Sequence, residues 1–89
     1  MQTITLFKNT TDNWCPNYHE NLVQVTFHGN IQPYIKDDPC YRVSVWGADD
    51  MGMEYDTKNE NEAYTLFMQV IGLENVNIVD LTELGFVSA

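Results

Sequence analysis

Only one stretch of this chain repeats its apolar residues at helical spacing, and most of what precedes it alternates. Ala63, Leu66, Phe67, Val70 and Ile71 fall at i, i+3, i+4, i+7 and i+8, a stripe along one face of an α-helix. Asn59-Glu60-Asn61-Glu62, just ahead of it, has the form of a capping box: Asn59 accepts the Glu62 backbone N–H and the Glu62 side chain reaches back. Thr57 with Glu60 offers the same pattern slightly earlier, and Gly72 suits a left-handed stop.

Before the helix the period is two. Ile4 and Leu6 lie opposite Thr3, Thr5 and Phe7; Val23, Val25 and Phe27 lie opposite Gln24, Thr26 and His28; Tyr41, Val43 and Val45 lie opposite Arg42, Ser44 and Trp46. Each pattern is that of a half-buried strand. Met53 and Tyr55 resume the apolar parity after Gly47-Ala48-Asp49-Asp50-Met51-Gly52, so two strands joined by an acidic turn are expected, the glycines supplying positive φ. Residues 8–20 read as a long loop, and Pro33 and Pro39 limit residues 31–40 to short or edge pairing. Val76 to Val79 reads as a short strand. Asp80-Leu81-Thr82-Glu83 is a second capping box, and Gly85 ends a turn or two of helix before Phe86 and Val87.

The expected fold is therefore α+β: a small antiparallel sheet of three to four strands, one main helix packed on one face, and a short C-terminal helical turn. Eighty-nine residues make a single domain, 1–89. A chain this short buries only about 60% of its unfolded surface, so a homodimer is one way to enlarge the core. A hydrophobic fraction of 44% with 19% charged residues is too apolar for a disordered tail. There is no membrane-length apolar run, and the first twenty residues lack a signal-peptide pattern. The expected location is cytosolic, without membrane attachment.

Charge is the second constraint. Thirteen acids against four bases give a net charge of −9, which argues against direct nucleic-acid binding. Residues 43–89 hold nine acids and one base, Lys58, a net of −8. Asp49, Asp50, Glu54, Asp56, Glu60 and Glu62 crowd into fourteen positions. Acids at a helix start are favoured by its dipole, which accounts for Glu60 and Glu62 but not for the turn and strand. Glu54 and Asp56 lie two apart on a strand, hence on one face and about 6.7 Å apart, a spacing comparable to that of neighbouring phosphates. A hairpin edge followed by a capped helix can thus present carboxylates in one exposed ridge, with Trp46 and Met51 as apolar anchors beside it and Tyr55 as a third candidate.

Other chemistry finds less support. Cys15, His19, His28 and Cys40 are possible metal ligands, but their spacings are not those of structural zinc sites. Cys15 with His19 lacks an orienting third group. In an unexported chain both cysteines are expected as thiols. From Asp49, position 3 is Met51 and position 6 is Glu54, which fails the EF-hand pattern. There is no phosphate-cradling loop, no G-x-S-x-G and no H-E-x-x-H. No enzyme, cofactor or metal is expected.

The segment from Arg42 to Asp56, the helix after it and the Leu84-Gly85-Phe86-Val87 end look like small phage or prophage accessory proteins. In size, acidity and layout the chain resembles phage anti-CRISPR inhibitors and other DNA-mimic antagonists of host defence. That resemblance implies a cytoplasmic, non-catalytic protein. It would bind a CRISPR effector, or another nucleic-acid-binding protein with a basic groove, through Asp49, Asp50, Glu54, Asp56, Glu60, Glu62, Trp46 and Met51. The alternatives are a small Cys/His metalloprotein or enzyme, and a phage structural or assembly module.

Overall fold

A computed structural model describes residues 3–12, 21–31, 38–47 and 52–89. The elements run β1 (Ile4–Asn9), β2 (Leu22–His28), β3 (Tyr41–Trp46), β4 (Gly52–Thr57), α1 (Glu60–Ile71), α2 (Ile78–Glu83) and β5 (Val87–Ser88). The strands form one five-stranded sheet in the order β1-β2-β3-β4-β5, every neighbour antiparallel. The α+β expectation holds, with a fifth strand added. No helix among the described residues is long and apolar enough to cross a membrane.

The alternation sorts the sheet into two faces. Val23, Val25, Phe27, Val43, Val45 and Met53 are buried beneath Ala63, Leu66, Phe67 and Val70 of α1, and Val76, Leu81 and Phe86 complete the core. Phe27 anchors it: its ring centroid is 5.9 Å from that of Phe67 and 5.7 Å, edge-on, from that of Tyr64. Edge-to-face geometry sets the positive ring edge against the negative π face.

The opposite face is polar and knit by cross-strand pairs. Thr5 and Thr26 hydroxyls meet at 3.1 Å, and His28 Nε2 lies 3.0 Å from Ser44 Oγ. Ser44 is 1% exposed although it belongs to this face; its hydroxyl keeps a partner, as burial requires. Trp46 stands opposite Gly52, and a Cβ at Gly52 would come within 2.5 Å of the indole. Gly52 is thus there for close approach of the ring. The expected positive φ belongs instead to Gly85, at 102°.

Several boundaries differ from expectation. β1 continues to Asn9, two residues into the expected loop. Gly72 has φ −79° and is right-handed, its N–H donating back to Met68 O. The capping box is half formed: Asn59 Oδ1 accepts Glu62 N–H at 3.1 Å, but the Asn59 N–H goes to Thr57 Oγ1. Residues 76–79 are not a strand. Asn77 is the N-cap residue of α2, and Asp80 lies inside that helix rather than capping it.

The end of α2 is held from a distance. Asn77 makes no cap bond with its own side chain; Asp12 Oδ2 accepts the Ile78 N–H at 2.6 Å instead. Asn77 Oδ1 accepts from Thr10 Oγ1, Thr11 N and Thr11 Oγ1, and Val76 N–H donates to Asn9 O. The exit of β1 and the entrance of α2 thus form one polar clasp.

Candidate protein-binding surface

The acidic side chains are set by β4 and the first turn of α1. Within β4, Met53, Tyr55 and Thr57 share the helix-covered side, and Glu54 and Asp56 share the polar side. Arg42 is the register partner of Asp56. Its guanidinium binds that carboxylate through two bonds, Nε to Oδ1 at 2.7 Å and a terminal nitrogen to Oδ2 at 3.0 Å. Glu54 Oε2 lies 3.3 Å from the same Nε. One cation therefore serves both carboxylates, and the Asp56 bonds hold the Arg42 pKa above its ordinary value despite some burial.

Glu60 and Glu62 belong to the other layer. The Tyr55 hydroxyl donates to Glu62 Oε1 at 2.5 Å, and this bond chiefly raises the Tyr55 pKa. The Tyr41 pKa is raised by desolvation first and then by the nearby Glu60 charge. One core-side phenol, Tyr55, thus tethers Glu62 at the α1 start.

The expected single ridge is not what the fold builds. Glu54 and Asp56 lie on one side of the sheet and Glu60 and Glu62 on the other, because a strand alternates its side chains while the helix covers only one face. The two sets meet at the β4 edge, where β5 pairs only with Met53 and Glu54. Tyr55 sits at that boundary. A cleft of about 390 Å³ on the helix side is lined in part by Tyr55, Asn59, Glu62 and Leu84. A second, of about 300 Å³, is lined by Glu54, Tyr55, Asp56, Gly85 and Val87. Trp46 is half-buried on the polar face over Gly52. Asp49, Asp50 and Met51 lie outside the described residues.

Among the described residues, no group of three or more His, Cys, Asp and Glu side chains could hold a metal. Cys40 is a half-buried free thiol, and His28 is engaged with Ser44. Cys15 and His19 lie outside the described residues. Burial, then the nearby Arg42 charge, pushes the His28 pKa down against the opposing pull of Asp56 and Glu54.

Sequence reasoning did not find Arg42 or Tyr55 as the partners of these acids. One signal was present: Arg42 and Asp56 are equidistant from Asp49, and a hairpin centred there pairs them directly. Comparison with known proteins adds no name to this surface: no family model, curated protein or solved structure matches the chain.

Proposed function

We propose that this chain is a non-catalytic, phage-type inhibitor that binds a bacterial nucleic-acid-processing defence complex, a CRISPR effector being the preferred target, in the host cytoplasm. The observation that carries the reading is the uncompensated acidity of the second half, nine acids to one base. Among the described residues, salt bridges relieve only Glu54 and Asp56, both through Arg42. Glu62, Glu74 and Glu83 remain exposed. A surface of this sign favours a basic groove of the kind that holds nucleic acid, steering association and competing with the natural polyanion.

In this reading the contact is edge-on. A basic partner approaching the β4 edge meets Glu54 and Asp56 on one flank and Glu60 and Glu62 on the other, with Trp46 as an apolar anchor on the polar face; Asp49, Asp50 and Met51 are counted with them by their place in the sequence alone. The contribution of surface acids is screened over a Debye length of about 8 Å at physiological ionic strength. Binding therefore weakens as salt rises.

The test is pull-down of a CRISPR effector, with competition against its DNA, using the wild type and a chain carrying Glu54→Lys, Asp56→Lys and Glu62→Lys. Loss of binding and of competition by the triple variant, with the fold retained by circular dichroism, supports the reading. Unchanged inhibition overturns it.

A further inference from the structure

The opposite edge of the sheet carries an interface of another kind. In an antiparallel strand the N–H and C=O of one residue point to the same side, and successive residues alternate. Thr10 N–H donates toward β2, to Asn21 O, whereas Asn9 O faces away and accepts from Val76 N–H. The even residues of β1 therefore bond β2, and Thr5, Phe7 and Asn9 direct their backbone groups outward. Among the described residues, the Val76–Asn9 bond is the one backbone bond made on that side. Thr5 and Phe7 are left with outward donors and acceptors beside large exposed side chains, Leu6 at 41% and Phe7 at 52%.

We propose that this edge pairs with β1 of a second copy about a two-fold axis through Leu6. That register sets Thr5 of each copy opposite Phe7 of the other, so the two residues with open backbone groups satisfy one another and each pair exchanges both its bonds. Pairing stops where Val76 already occupies Asn9. Leu6 meets its own symmetry mate on the helix side, and each Phe7 lies over the partner's Thr5 on the polar side.

Of the two edges of the sheet, charge leaves β1 as the one where a second copy can join. Two chains of net −9 repel, yet β1 contains Lys8 and no acid. Joining the copies at β1 makes one continuous sheet with the two β4 strands about 34 Å apart, at 4.7–4.9 Å per strand. That is several Debye lengths. The edge also lacks the usual guards against such pairing: it has no proline, and its single charge, Lys8, projects to one face. Isologous pairing about a two-fold is the commonest closed assembly.

Sedimentation velocity of the full chain over a concentration series tests this. The expected result is a shift from monomer to twice the monomer mass as concentration rises, more complete at high salt. Leu6→Lys places two ammonium groups at the axis and should hold the chain at monomer mass with an unchanged circular dichroism spectrum. Val79→Lys, elsewhere on the surface, should dimerise as the wild type does. In a Cys15→Ser, Cys40→Ser background, Leu6→Cys should form an intermolecular disulfide on mild oxidation and Val79→Cys should not. A wild type that stays monomeric at its solubility limit overturns the proposal. So does a Leu6→Cys chain that cross-links no better than Val79→Cys.

Discussion

Asp12 accepts the backbone N–H of Ile78 at 2.6 Å across a separation of 66 residues. The carboxylate performs for α2 the service that Asn77, its own N-cap residue, does not. Replacing a capping side chain by alanine costs about 0.5–2 kcal/mol. Asp12→Ala should fall in that range, and Asn77→Ala, which removes one acceptor shared by Thr10 and Thr11, should be at its upper end or beyond. Urea denaturation measures both. The two changes should be less than additive, since they open one clasp.

Gly52→Ala should destabilise by about 1–3 kcal/mol, because the new methyl enters space held by the Trp46 indole. Tryptophan emission should shift as the ring is displaced. In a Trp46→Ala background the same substitution should cost little, and that difference, measured as a double-mutant cycle, isolates the ring contact.

Arg42→Met removes the cation shared by Glu54 and Asp56. These groups are partly exposed, so solvent screening limits the loss to about 0.2–1 kcal/mol. Thermal unfolding in low and high salt should show the gap between wild type and variant narrowing as salt rises. If the acids act on a basic partner, the same variant should bind that partner more tightly, because both carboxylates are released.

His28 sets a direction with pH. Its folded pKa lies below the ordinary 6.5, so the unfolded chain binds the proton more readily. The stability tied to this group is fully present above about pH 6.5 and is lost as pH falls through the lower folded value. Denaturant midpoints measured from pH 7.5 down to 5 should decline, and His28→Gln should flatten that part of the decline.

The strands and the main helix were legible because their apolar residues keep one period throughout: Val23, Val25 and Phe27 face α1, and Ala63, Leu66, Phe67 and Val70 face the sheet. What was not legible is long-range. Nothing local tells that Asp12 will reach Ile78, or that Glu62 will accept from Tyr55 rather than cap its own helix. β5 escaped because two residues, Val87 and Ser88, carry no periodicity. The acidic residues were visible as a cluster in sequence, but strand pleating and the one-sided helix divide them in space, and Arg42 offsets a pair of them.

The clasp between residues 9–12 and 76–78 also orders events in time. Each pair of neighbouring strands from β1 to β4 is consecutive along the chain and can close as a hairpin while synthesis continues. The clasp cannot close until position 78 has left the ribosome. Until then Thr10 and Asp12 lack the contacts that Asn77 and Ile78 supply and the apolar floor under Leu81 stands open, so a nascent chain of this protein depends on residues 76–86 to shield what the strands and α1 have already assembled.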